Sequence, residues 1–277
     1  MLLRTTLLGF LLVFFVGAAR AQTCNTAPAP ATPAAPMTPA APAAPVVPAP
    51  AFNAAGDKNL ASGLVAYWRL DDASGTSAVD SVASNNGTLT NVGWSSGKLN
   101  GGANFTSTNG SINAPDAFYS DAFSVCAWIY PTSFTGDNQG IVIKRSAGNE
   151  WWFYASNATV TFLSWTGASN IVTRADSPAP ATLNAWSHVC GVQQGAGKVS
   201  YVYVNGVPTT GSTQSSPSND TTSLISIGSG AGITSRTFAG TIDEVGIWNR
   251  ALSANEVATL YNGGSGNHYG GACGFDY

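Results

Sequence analysis

From Leu60 to about Gly264 the chain is written in short apolar-polar alternating runs, broken every few positions by Gly, Asn, Asp or Ser. A period of two sends the apolar side chains of a strand to one face, and the punctuating residues supply turns, so this text is that of an antiparallel β-sandwich. The clearest runs are 64–70, 123–130, 141–144, 151–154, 160–165, 186–192, 199–204, 224–228 and 238–248. Val204 is followed by Asn205-Gly206, a pair that tolerates the positive φ of a tight hairpin. One short helix is predicted near the C-terminus, from Ser253 to about Tyr261. Ser253 and Glu256 form an S-x-x-E capping box, Gly263-Gly264 supplies the stop, and Val257 and Leu260 would face the sandwich. The segment is long enough to bury a substantial core as one two-sheet domain over 60–264, and a Gly-rich tail over 265–277 follows it.

The first 59 residues read differently. Met1 to Ala21 carries one early charge, Arg4, then an apolar run from Leu7 to Val16, and ends in Ala19-Arg20-Ala21, the pattern of a cleavable signal peptide. The apolar run is too short to span a bilayer, and no later segment offers a second candidate. Gln22-Thr23 ahead of Cys24 lacks the small residues that lipid attachment there would need. Residues 22–59 are dominated by Ala and Pro and cannot build a core. They read as a disordered or polyproline II stalk, and the 26 residues from Thr26 to Ala51 would reach about 80 Å if extended. A secreted or cell-surface location follows.

Only 9% of residues are charged and the net charge is -3, which disfavours nucleic acid and anionic membranes and favours a neutral partner. The four cysteines, Cys24, Cys126, Cys190 and Cys273, form no CxxC pair. In an exported chain an even number points to disulfides rather than zinc. How Cys24 and Cys273 pair stays open.

Three segments together resemble the laminin G-like jelly-roll domains of the concanavalin A-like lectin and glucanase superfamily. They are Gly63–Asp71 with Asp80-Ser81 and Asn85–Thr88; Phe123–Ile129 with Trp186–Cys190 and Tyr203–Gly206; and Phe238–Ser253. Cys126 and Cys190 look like the pair that pentraxins, relatives in that superfamily, bridge between neighbouring strands, so the resemblance implies a Cys126–Cys190 disulfide. It also implies a structural calcium where the 80–87 loop approaches the closing strand, with Asp80, Asn86 and Asp243 as ligands. The residues themselves equally allow Asp80 to cap a turn and Asp243 to accept backbone hydrogen bonds. A pentraxin-style calcium site is not expected, because the corresponding stretch, Gly228–Gly232, holds no carboxylate.

Glucanases of the superfamily work through a Glu-x-Asp-x-Glu strand, and glycoside hydrolysis needs two facing carboxylates. Of the three glutamates, Glu150, Glu244 and Glu256, none lies in such a pattern, and Asp243 and Glu244, adjacent on one strand, should point to opposite faces. His188 reads as a structural histidine within a strand, and no G-x-S-x-G elbow or P-loop occurs, so a non-catalytic domain is expected. Trp68, Trp128, Trp186 and Trp248 are assigned to packing. In Trp151–Tyr154, burying Phe153 carries Trp151 inward and leaves Trp152 and Tyr154 as a solvent-facing pair, assigned here to carbohydrate stacking, with a dimer patch or a covering loop as the other uses of that face. The expected function is a glycan-binding or adhesive module; the alternative is a structural or protein-interaction domain of a cell surface or extracellular matrix.

Overall fold

The structure, a computed structural model, describes residues 60–269 apart from 107, 117–119, 135–137, 146–148, 167–169, 178, 196, 198, 214–222 and 230–235. The signal segment, the stalk with Cys24 and the terminal residues with Cys273 lie outside the described residues.

Strands numbered in chain order pair into two antiparallel sheets. The first holds β1 (Leu64–Trp68), β4 (Gly93–Ser96), β5 (Gly101–Phe105), β7 (Ala122–Pro131), β12 (Ser187–Gln194), β13 (Val199–Val204), β14 (Val207–Thr213) and β16 (Gly240–Trp248). Its order is β14-β13-β12-β7-β16-β5-β4, with β1 also bonded to β16. The second holds β2 (Ser77–Ala78), β3 (Gly87–Thr90), β6 (Ser111–Ala114), β8 (Gln139–Arg145), β9 (Asn149–Ser156), β10 (Thr159–Thr166), β11 (Asn170–Asp176) and β15 (Leu224–Ile227), in the order β11-β10-β9-β8-β15-β6-β3-β2. This is the expected all-β two-sheet sandwich. Asn205 and Gly206 turn β13 into β14 with φ of 52° and 78°.

Between the sheets lies the main core, where Phe105, Phe123, Trp151, Phe153, Phe162 and Trp68 are buried. A second apolar cluster lies on the outer face of the first sheet, where Tyr67, Tyr201, Tyr203 and Trp248 are covered by Leu60, Leu252 and the helix α1 (Ala254–Tyr261). Both halves of the capping box form: Ser253 Oγ accepts from Glu256 N, and the Glu256 carboxylate accepts from Ser253 N. Val257 and Leu260 are fully buried, as their spacing requires. Beyond the helix the chain returns and lays Tyr269 into the same cluster, 5.0 Å from Tyr67 and 5.2 Å from Trp248 between ring centroids. Gly246 makes that seat, since a Cβ there would lie 2.4 Å from Tyr269 Cδ2.

Cys126 and Cys190 are directly opposite each other on β7 and β12 and form a disulfide, as the resemblance implied. Closing its 64-residue separation is worth about 4 kcal/mol in the chain-entropy account. Trp68, Trp128 and Trp248 are core residues. Trp186 is not: it sits just before β12, half-exposed and leaning on Tyr130, because the strand begins one residue later than the alternation suggested. Five short strands, β2 to β6, and β14 carry no apolar run of their own and take their conformation from their neighbours.

Inside the sandwich Lys144 Nζ meets Asp116 Oδ2 at 2.7 Å with both side chains buried. A buried charge deprived of its partner is far more costly than a buried pair. Asp116→Ala should therefore lower stability by about 3–5 kcal/mol in chemical denaturation, and adding Lys144→Met should recover most of that loss.

Candidate functional site

On the outer face of the second sheet, alternation works as expected along β9. Trp151 and Phe153 enter the main core, while Trp152 and Tyr154 join Ile143 and Leu163 on the opposite face. The expectation that this pair meets solvent is corrected by the structure, which leaves the two residues only 3% and 5% exposed. The cause is mutual and lateral cover. The rings stand edge to plane with centroids 6.4 Å apart, and the Arg236 guanidinium lies 4.7 Å from the Trp152 ring centre. Burial raises the Tyr154 hydroxyl's pKa. Polar groups rim this floor: Arg174 Nε donates to both oxygens of Asp176, at 3.0 and 2.8 Å, and Thr161 Oγ1 donates to the same carboxylate at 2.7 Å. Burial opposes ionisation of Asp176, but these hydrogen bonds outweigh it and hold its pKa below the usual value.

The adjacent acids of the closing strand behave otherwise than simple alternation implies. A β-bulge interrupts β16 between Asp243 and Gly246, with Glu244 in the left-handed region at φ 52°. Ile242 and Val245 both enter the main core, so the extra residue puts Asp243 and Glu244 on the same outer face rather than on opposite ones. Neither carboxylate is free to act on a substrate. Both residues are fully buried; Asp243 Oδ2 accepts from Lys98 N and Leu99 N, and its Oδ1 from Glu244 N. Glu244 accepts a short hydrogen bond from the Tyr67 hydroxyl and pairs with His268 Nδ1 at 3.0 Å, while His268 Nε2 faces Arg69 at 3.1 Å. This network fastens the returning chain at residues 268–269 to the sheet. The positive φ of a non-glycine residue is the trace of the bulge that a one-dimensional pattern cannot carry.

The residues expected to hold calcium have other partners. Asp80 Oδ1 accepts from Tyr67 N and Val82 N, Asp80 Oδ2 from Asn85, and Asn86 Oδ1 from Asp80 N. Asp80 caps its own turn and Asp243 caps the 97–101 loop, whereas calcium gathers six to eight oxygens onto one ion. The donor set thus fits loop capping and does not fit a calcium cage. Among the described residues, the one group of ligand-type side chains within reach of a common ion is Cys126, His188 and Cys190, and its two sulfurs are bonded to each other. His188 is buried, with Nε2 3.3 Å from the Tyr269 hydroxyl and Nδ1 without a hydrogen-bond partner among the described residues. Burial pushes its pKa down to about 3, the neutral structural histidine the strand pattern suggests.

With this geometry in hand, comparison with known proteins places residues 100–258 under a family model described as the concanavalin A-like lectin/glucanases superfamily. No curated protein matches the chain. Among solved structures, domain 4 of AbnA, a GH43 extracellular arabinanase from Geobacillus stearothermophilus solved with arabinotriose, is similar at 20% identity and a TM-score of 0.58, over 71% of this chain and 97% of that one. The binding domain of Paraclostridial Mosquitocidal Protein 1 is similar at 18% identity and a TM-score of 0.59, over 73% of this chain and 52% of that one. Trypanosoma rangeli sialidase in complex with sialic acid is similar at 17% and 0.53, over 72% of this chain and 32% of that one. At these identities the likeness is one of fold.

The buried acids dictate a pH dependence. Burial, then the neighbouring Glu244 carboxylate, pushes Asp243 up to about 8 against three N–H donors that pull it down. Burial also raises Glu244, and the hydrogen bond to Glu244 raises His268. All three groups hold protons in the folded state that the unfolded chain releases, so each loses stability as pH rises. His188 has the opposite sign, but its effect ends near its ordinary value of 6.5. Between pH 6.5 and 8 the Asp243 effect is unopposed, and stability should fall by about 2 kcal/mol. Asp243→Asn should flatten that slope in denaturant titrations at a series of pH values, while lowering stability overall. Chelator should leave the melting midpoint unchanged.

Proposed function

The chain belongs to the concanavalin A-like lectin/glucanases superfamily, and from that premise we propose that it is a secreted, non-catalytic binding module that recognises glycans. A fold of this kind hosts many activities, so the argument has to rest on the site. The observation that carries it is the floor on the outer face of the second sheet. Trp152 and Tyr154 form a closely covered ring floor with no core role between the sheets, Arg236 lies over Trp152 and must move aside to open its ring face, and Arg174, Asp176 and Thr161 stand at the rim as hydrogen-bonding groups. Ring faces match the apolar C–H faces of a sugar, and a few polar groups at the edge match its hydroxyls.

Further features support the reading. Asp243 and Glu244, brought to one face by the bulge, are committed to hydrogen bonds inside the protein, so this pair does not flank a glycosidic bond. The disulfide and the N-terminal signal pattern suit export, and no helix among the described residues is long and apolar enough to cross a membrane. The stalk would display the domain at a distance from whatever holds its other end. AbnA domain 4 and the mosquitocidal protein's domain are described by a bound arabinotriose and as a binding domain, which agrees with a binding role here.

The test is a glycan array probed with the purified protein and competed with free sugar. Arg236 lies at the edge of the floor and stacks on Trp152, so Arg236→Ala should change sugar affinity several-fold while lowering stability by only about 0.5–1 kcal/mol. Trp152→Ala should abolish binding. If the array stays blank while sedimentation shows self-association that Arg236→Ala alters, the face is a protein interface and the alternative reading replaces this one.

A further inference from the structure

We propose that the chain carries a second sugar-binding site on the opposite side of the sandwich, a row across the outer face of the first sheet formed by Trp186, Tyr130, Thr241 and Asn104 that takes a neutral oligosaccharide. The proposal rests on the glycan-binding reading above but places recognition on a surface that reading does not use.

Strand register sets the row. Thr241 of β16 is the partner of Tyr130 on β7 and of Asn104 on β5. Ser187 of β12 pairs with Ile129, which sets Trp186 opposite Tyr130. The residues flanking each strand member, Ile129, Ile242, Ala103 and Phe105, enter the main core, so Tyr130, Thr241 and Asn104 point the other way. Four positions on neighbouring lines at about 4.8 Å give a track about 14 Å long, the reach of a short oligosaccharide.

The row differs from the rest of this face by being open. Farther along the same strands, Trp128, Cys126 and Trp248 are sealed beneath α1 and the returning chain, whereas Trp186, Tyr130, Thr241 and Asn104 are each half-exposed. The indole of Trp186 and the ring of Tyr130 are 5.5 Å apart at 59°, a tilted pair that offers two ring surfaces at the open end. Next to them come a hydroxyl and an amide. Among the described residues, the side-chain polar contact in the row is Ser95 Oγ to Thr241 Oγ1, at the long distance of 3.5 Å, and the Asn104 amide and Tyr130 hydroxyl make no hydrogen bond there.

Charge selects the occupant. The row holds no acidic or basic side chain, and the nearby cation, Lys98, is engaged 4.8 Å above the Trp128 ring. Asp243, the next outward acid on β16, is buried and bonded. A track of two rings, a hydroxyl and an amide complements a ligand with alternating C–H faces and hydroxyls and no charge, and offers nothing to a sialylated or phosphorylated one. The pair escaped the sequence pattern because Trp186 precedes an apolar strand and so counted as core.

The experiment is calorimetric titration of the full chain with arabinotriose, maltotriose and cellotriose, and with sialyllactose as the charged comparison. The wild type should bind at least one neutral trisaccharide more tightly than sialyllactose. Trp186→Ala and Asn104→Ala, both at partly exposed positions and with folding checked by circular dichroism, should each weaken that binding at least tenfold or remove one of two binding events. Trp186→Tyr should retain most of it. If a neutral sugar binds and neither substitution alters it while Arg236→Ala does, the row is overturned and the first site stands. If no sugar binds the wild type, the glycan reading fails and the row falls with it.

Discussion

The first sheet has two buried faces, and most of the structure answers to that. Along β7, β12, β13 and β16 nearly every residue is inaccessible, on both sides of the pleat. One face is satisfied by the second sheet. The other needs a cover, which the chain supplies from both ends of the described region: Leu60 beside Trp248, then α1, then Tyr269. Every polar group trapped under this cover must be neutralised or paired, because an unpartnered buried donor or acceptor costs about 1–3 kcal/mol. The neutral His188, the N–H donors around Asp243 and the Tyr67–Glu244–His268 chain are the local solutions. The bulge at Glu244 belongs to the same account. An extra residue in the strand turns a second carboxylate outward, where it can hold the returning chain.

Much of this was legible from periodicity. Strands with a strong two-residue rhythm, such as 123–130 and 199–204, lie where the rhythm puts them, and the helix follows from one serine, one glutamate and a glycine pair. The face assignment along Trp151–Tyr154 was legible too, since it depends only on the parity of Phe153. Exposure was not. Whether an outward ring meets water depends on residues distant in sequence, here Arg236 for Trp152, and on where a strand starts, which decides that Trp186 is open. The carboxylate pair was misread for a related reason. Parity holds only while a strand is regular, and a bulge resets it without any mark in a sequence that has no glycine at the left-handed position.

The two outer faces of the sandwich therefore carry different chemistry on similar backbones. That of the second sheet has rings at its centre and ions at its rim. That of the first is closed over most of its length by the chain's own segments and opens only at one end. An open end and a closed, stability-bearing part thus share a single sheet face, with the disulfide between β7 and β12 in the closed part.

The position of β16 has a consequence for how the protein comes into being. It lies inside the first sheet, bonded to β7 on one side and to β5 and β1 on the other. β1 is made early, and its sheet partner among the described strands is β16, which follows about 170 residues later in the chain. As the chain is made from its N-terminus, β1 waits for this sheet partner until nearly the whole domain has been made, while β2 to β6 find partners among themselves. Closure of the first sheet is then a late event that joins distant segments, and its loop-closure entropy is met only when β16 arrives.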